Sequence, residues 1–214
     1  MNAIQIGRKR LSDIVWGIID ERVGDYPFEK IEKIVEDRQV WRMYADYNTG
    51  SLPVEDAFEL YKVVKFFTPK HVAEVGTFIG VSTMVMDLAV ETEDNIYTCD
   101  ISNDIQGFGD EPYVVYYPKT ASHDMFKDIA EKGAKVDLVY LDGRLSQQDV
   151  EPLNKIIHDK TVFVLDDFEG TEKGVANAMM LESPGRVLVY PREGRKTAMS
   201  IPMTLLQIVP QEAT

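Results

Sequence analysis

The stretch Ala73-Glu74-Val75-Gly76-Thr77-Phe78-Ile79-Gly80-Val81-Ser82-Thr83 decides how the chain is read. A short apolar run over 71–75 stops at Gly76, and apolar residues resume at helical spacing from about Val81. Strand, glycine turn and helix in that order open a βαβ unit. Glycines at 76 and 80 let the backbone approach a ligand closely, and the helix that follows begins with N–H groups that lack intrahelical partners.

The same alternation continues downstream. The pattern predicts strands over 95–100, 113–117, 136–141 and 161–165. It predicts helices over 81–90, from Ser122 to a left-handed stop at Gly133, from an N-cap at Ser146 with Asp149 three residues on through 157, and over 173–181. Strands separated by helices demand right-handed crossovers and a parallel sheet covered on both faces. The end of the chain differs, because 186–190 and 199–209 read as strands with only the turn-rich 191–197 between them, which makes an antiparallel pair. The expected fold is therefore α/β, a doubly wound, mostly parallel seven-stranded sheet closed by a C-terminal antiparallel hairpin.

Upstream, residues 1–50 carry apolar positions at helical spacing, among them Ile14, Ile18, Ile19, Ile31, Ile34 and Val35. They read as an N-terminal helical extension of the same domain, with the sheet in 51–214. Asn48-Thr49-Gly50-Ser51 is a loop signal, Pro53 suits the start of the next helix and Pro69 ends it. Residues 101–112 read as a surface loop beside the site.

The chain has 214 residues, with 23 Lys+Arg against 36 Asp+Glu for a formal charge of −13. A duplex must be met by clustered cations, so this surplus argues against nucleic acid, and anionic lipid would repel it too. Arg8-Lys9-Arg10 is too short to read as more than a solvated patch. Cys99 is the single cysteine, which excludes an intramolecular disulfide and a four-cysteine zinc site. With no signal-peptide pattern and no run of about 18 apolar residues, the expectation is a cytoplasmic protein without a membrane anchor. Oligomeric state stays open, a homo-oligomer included.

Ligands of an open parallel sheet collect beyond the carboxyl ends of the strands, where the winding reverses. Acids stand there: Glu74 before the glycine turn, Asp100 after the second strand, Asp142 after the fourth, and Asp166-Asp167 after the fifth. A carboxylate about twenty residues beyond a glycine turn is where a ribose diol is held. Neighbouring strands lie about 5 Å apart, so Asp142 and the Asp166-Asp167 pair would meet. Carboxylates that close carry raised pKa values or bind a cation, and oxygen ligands favour magnesium, calcium or manganese over zinc. The alternative is that Asp166 and Asp167 point to opposite sides and only one faces the site.

These motifs together resemble class I S-adenosylmethionine-dependent methyltransferases. Residues 73–83 are similar to their first motif. Val136-Asp137-Leu138-Val139-Tyr140-Leu141-Asp142-Gly143 and Val162-Phe163-Val164-Leu165-Asp166-Asp167 resemble the fourth and fifth strands of the branch containing catechol O-methyltransferase and related small-molecule O-methyltransferases. The resemblance spans roughly residue 51 to the end and implies a Rossmann-like sheet. It implies that Gly76, Thr77 and Gly80 lie at the cofactor's methionine part, that Thr83 also belongs to the cofactor site, that Glu74 braces the loop, that Asp100 holds the ribose and that Ser122 lies near the adenine. It also implies a divalent cation, magnesium first, on Asp142, Asp166 and Asp167. The activity implied is methyl transfer from S-adenosylmethionine to a hydroxyl oxygen of a small molecule, by in-line displacement.

One departure stands out. Such relatives commonly place a Lys or His, as a candidate base, two or three residues beyond the aspartate matching Asp142; this chain has Arg144 and Leu145. Arginine orients an anion but is a poor base, so Asp142 and Arg144 are the candidate catalytic pair. His71 and His158 read as structural, and His123 falls beside the expected adenine position. Cys99 and the tyrosines at 113, 116 and 117 read as sheet residues. Trp41, Tyr44 and Tyr47 either pack on the core or roof an acceptor pocket, and Asn48 and Ser51 lie on a loop approaching the site. The competing readings are a metal-independent N- or O-methyltransferase, an inactive S-adenosylmethionine-binding protein, and a nicotinamide oxidoreductase. The last is disfavoured because Gly-x-x-x-Gly replaces Gly-x-Gly-x-x-Gly.

Overall fold

The computed structural model describes residues 3–24, 26–44, 50–90, 95–101, 113–169 and 173–208. Helices α1 (Ala3–Val23) and α2 (Phe28–Arg38) and a 3-10 segment, Gln39–Tyr44, precede α3 (Val54–Phe67). Then follow β1 (His71–Val75), α4 (Val81–Ala89), β2 (Asn95–Asp100), β3 (Val114–Pro118), α5 (Ser122–Glu131) and β4 (Leu138–Leu141). The chain continues through α6 (Val150–Ile156), β5 (Val162–Leu165), α7 (Lys173–Met180), β6 (Arg186–Val189), β7 (Ala198–Pro202) and a second 3-10 segment, Met203–Ile208.

The strands form one seven-stranded sheet in the order β3-β2-β1-β4-β5-β7-β6. β1 to β5 pair in parallel, and β7 runs antiparallel to both β5 and β6. The winding reverses between β1 and β4, which opens a crevice at their carboxyl ends. Period-two alternation explains why both faces are greasy. Val72, Ile96, Leu138, Tyr140, Val162 and Val164 face one core, shared with α1 to α4. Ala73, Tyr97, Cys99, Val139, Leu141, Phe163 and Leu165 face the other, with Phe126, Ile129, Leu153 and Ile156 from α5 and α6.

The N-terminal helices join the first of these cores through Val15, Trp16, Ile19 and Ile31. α1 is also pinned to the closing hairpin: the Trp16 indole donates to the Tyr190 carbonyl at 2.9 Å, and the Tyr190 N–H donates to the Ser12 hydroxyl at 2.9 Å. Trp16 is 2% exposed, so truncating it would remove on the order of 3–5 kcal/mol. No described helix is long and apolar enough to cross a membrane.

Two boundaries differ from the sequence reading. β7 stops at Pro202, where the missing N–H ends the ladder, and the Met203 N–H turns to the Gly185 carbonyl at 2.7 Å to start a 3-10 segment. Residues beyond 208, like 102–112 of the loop expected over 101–112, lie outside the described residues. Ser146 does not open an α-helix. The Asp149 carboxylate accepts the Ser146 N–H at 2.6 Å and its hydroxyl at 2.7 Å, closing a turn, and α6 begins only at Val150. The expected stops at Pro69 and Gly133 are matched by a left-handed Thr68 after α3 and by Gly133 at φ +71°.

Candidate active site at the carboxyl edge of the sheet

Register alone sets the order of residues along the crevice. Val75 pairs with Cys99 on one side and Leu141 on the other, and Leu141 pairs with Leu165. The next residue of each strand or turn therefore falls in the sequence Asp100, Gly76, Asp142, Asp166. The glycine turn and three acids, which the chain spreads over 90 residues from Gly76 to Asp166, line up along one edge of the sheet.

Gly76 sits at φ +101°, and a Cβ there would stand 3.0 Å from both the Asp142 carbonyl carbon and the Gly143 nitrogen. Only glycine satisfies both constraints. Its N–H and that of Thr77 close onto the Cys99 carbonyl at 2.9 and 3.2 Å. Phe78, at φ +44°, gives its N–H to the Asp100 carboxylate at 2.8 Å. Gly80 adopts φ +78° as the residue before α4.

Glu74 is fully buried beneath this loop. Its carboxylate accepts hydroxyls from Ser82, from Thr83 at 2.5 Å and from Thr98 at 2.6 Å. A hydroxyl has one proton, and Thr98 gives its own to Glu74. Thr77, 2.6 Å from the Thr98 oxygen, is therefore the donor in that second bond. Burial raises the Glu74 pKa above the ordinary value; the three hydroxyls pull it back and the Asp100 charge adds to the rise.

Above the loop lies a cavity of about 610 Å³. Gly76, Asp100, Ser122, Asp142 and Arg144 border it, together with Phe78, Cys99, His123, Asp149 and Lys173. Thr83 is 0% exposed, with its hydroxyl turned onto Glu74. Thr77 likewise serves Thr98 from below. Ser122 donates to the buried Asp149 at 2.5 Å, so Asp149 fixes the turn before α6 and the start of α5 at once.

The carboxylates of Asp142, Asp166 and Asp167 each offer an oxygen within 4.8 Å of the others. Asp167 takes φ +48°, a left-handed conformation uncommon for a residue with a side chain, and faces the cluster with Asp166. Sequence reasoning missed what meets them. The Lys173 ammonium, at the start of α7, pairs with Asp142 and lies 3.1 Å from Asp167. Burial works against that ammonium, and the charges and hydrogen bonds of Asp142 and Asp167 outweigh it, holding its pKa above the ordinary value. Burial, then the Asp167 charge, pushes Asp166 up to about 6.

The remaining candidates lie outside the carboxylate cluster. His158 bonds Asp137 at 3.0 Å, and the same aspartate accepts the Lys70 and His71 N–H groups, all at the opposite end of the sheet. His123 borders the cavity 3.5 Å from Asp124. Cys99 is buried, which pushes its thiol pKa up and makes it inert. Trp41 packs against the first core with the Arg38 guanidinium 5.3 Å from its ring. The Ser51 hydroxyl meets Gln39 and Arg42, each at 3.2 Å. The Tyr44 side chain, Tyr47 and Asn48 lie outside the described residues.

No protein-family model and no curated protein sequence matches the chain. Solved structures do. The O-methyltransferase TomG from Streptomyces achromogenes, involved in tomaymycin synthesis and in complex with SAM, superposes with a TM-score of 0.59 at 14% identity, covering 83% of this chain and 90% of its own. An O-methyltransferase from Bacillus cereus in complex with SAH gives 0.55 at 13% identity, over 86% and 94%. Cofactor-bound Rv0187 from MTB gives 0.57 at 17% identity, over 88% and 95%. The chain has the fold of class I S-adenosylmethionine-dependent O-methyltransferases.

Proposed function

We propose that the protein transfers a methyl group from S-adenosylmethionine to a hydroxyl oxygen of a small molecule. The observation that carries this reading is the single cavity bordered by the Gly76 turn and Asp100 at one end and by Asp142 and Lys173 at the other. The fit to the cofactor rests on the cradle itself: a backbone approach at Gly76 that a Cβ would fill, beside a carboxylate already oriented by the Phe78 N–H.

In this reading Asp100 accepts the ribose hydroxyls and Ser122, held by Asp149, borders the adenine. Bound there, the cofactor supplies an electrophilic methyl on a cationic sulfur. The acids at the ends of β1, β2, β4 and β5 give the crevice a negative potential that favours a cationic ligand over an anionic one. Asp142, held by Lys173, stands where an acceptor hydroxyl would be oriented, and Arg144 at the cavity rim would steady its developing negative charge. Most of the acceleration is positional, since two reactants held in line avoid the entropy of encounter.

The three carboxylates favour a second reading in which a divalent cation, magnesium first, organises the acceptor. As the side chains stand, the cation does not fit, because the Lys173 ammonium already lies against Asp142 and Asp167.

Radiolabelled methyl transfer from S-adenosylmethionine to a panel of phenols, alcohols and amines tests the proposal. Label on oxygen acceptors is expected. Label confined to amines would move the protein to the N-methyltransferase class, and cofactor binding with no label on any acceptor would make it a binding protein.

A further inference from the structure

We propose that Lys173 is the resident cation of this site: its ammonium takes the place among the strand-end carboxylates that a divalent ion would need, and the protein works without one. The inference rests on the methyltransferase reading for what Lys173 serves, but its ion pairs and their metal consequence stand apart from that reading.

The ammonium bridges two acids that come from different strand ends, Asp142 after β4 and Asp167 after β5. All three carboxylates converge within 4.8 Å, so an ammonium lying between two of them occupies the space a divalent ion would need. The lysine side chain is 23% exposed, Asp142 18% and Asp167 34%. The pair is thus shielded enough to be held in place, unlike ion pairs on the open surface.

Lys173 is delivered there by the way α7 docks. The next residue is Gly174, where a Cβ would overlap the Asp166 carbonyl oxygen and stand 2.9 Å from the Phe168 nitrogen. Without a side chain at 174, the first turn of α7 lies flush against the end of β5. Four residues after Lys173, on the same helix face, Asn177 clamps the helix to the turn after β4. Its amide donates to the Gly143 carbonyl at 2.8 Å, and its carbonyl oxygen accepts the Leu145 N–H at 2.9 Å. Asn177 is 0% exposed. The helix that presents the ammonium is therefore fastened to both strand ends that carry the acids.

A tethered cation has an advantage over a free one. Its effective concentration at the site is set by the chain, so ion-pairing requires no encounter from solution. An ammonium also offers three N–H donors. Asp142 and Asp167 take two, and Lys173 borders the cavity, so the third serves an acceptor's oxygen. Such a donor orients a hydroxyl and stabilises charge that develops on it.

Manganese titration of the full chain, followed by electron paramagnetic resonance, tests the assignment independently of turnover. The parent is expected to bind no Mn²⁺ at this cluster at millimolar concentration. Lys173→Met should gain one site at least tenfold tighter, and adding Asp142→Asn should abolish it. Should Lys173→Met not fold by circular dichroism, Lys173→Gln carries the same comparison. A submillimolar site in the parent that Asp142→Asn removes would overturn the proposal, as would a folded lysine variant that gains no site. Turnover insensitive to a chelator in the parent is the second expected result. Absence of cofactor binding would count against the methyltransferase reading and leave the metal comparison intact.

Discussion

Gly76 and Asp142 are packed backbone to backbone, with only a hydrogen on the Gly76 α-carbon where any other residue would place a Cβ 3.0 Å from the Asp142 carbonyl carbon. This contact joins the turn expected to hold the cofactor to the acid expected to hold the acceptor. Gly76→Ala is expected to lower stability by about 1–3 kcal/mol, from left-handed strain and from overlap. It should also weaken S-adenosylmethionine binding at least tenfold. Thermal unfolding and calorimetry would check both; wild-type affinity in the folded variant would detach the turn from the cofactor.

Thr98 donates to Glu74 and accepts from Thr77, linking the middle of β2 to the end of β1 and to the glycine turn. Thr98→Val keeps the shape and removes both bonds, leaving a buried carboxylate short of a partner. A loss of about 1–3 kcal/mol in denaturant unfolding is expected, with lowered cofactor affinity because the loop loses its brace. No change in either would mean the Glu74 network is ornamental.

Asp166 gives a pH dependence whose sign is fixed by its raised pKa. The group titrates near 6 in the fold against 3.8 unperturbed. Between about pH 4 and 6 the folded chain holds a proton that the unfolded chain releases, so stability falls as pH rises through that window and levels off above it. Asp166→Asn removes the penalty. Its advantage over the parent is expected to grow from near zero at pH 4 to about 3 kcal/mol above pH 7, measured by denaturant unfolding across pH. A variant less stable than the parent at pH 8 would show that the ionised carboxylate is compensated in the fold.

Much of this arrangement is legible in the residues themselves. The strands at 71–75, 95–100 and 161–165 are short apolar runs closed by Gly or Asp and separated by helical spacing, so their parallel order and the acids at their ends follow from pattern alone. Lys173 is not legible in the same way. It lies six residues beyond Asp167 in sequence, and its meeting with Asp142 depends on how α7 docks, which no local spacing encodes. A signal does exist: Lys-Gly at a helix start with Asn one turn on is a poor helix opening unless the glycine must touch something. A hydroxyl beside a glycine turn, such as that of Thr83, reads equally well as a ligand contact or a brace, and the sequence does not show that it turns onto a buried Glu74. The shortened β7 reflects one residue, Pro202, inside an otherwise strand-like run.

The central claim is that the crevice at Gly76 and Asp100 holds S-adenosylmethionine, and calorimetric titration of the parent and of Asp100→Asn tests it most directly. The asparagine keeps an oxygen for the Phe78 N–H while removing the charge expected to hold the ribose. The account predicts one S-adenosylmethionine per chain in the parent and an affinity about tenfold or more weaker in the variant. No heat with S-adenosylmethionine, or an affinity indifferent to Asp100→Asn, would contradict it.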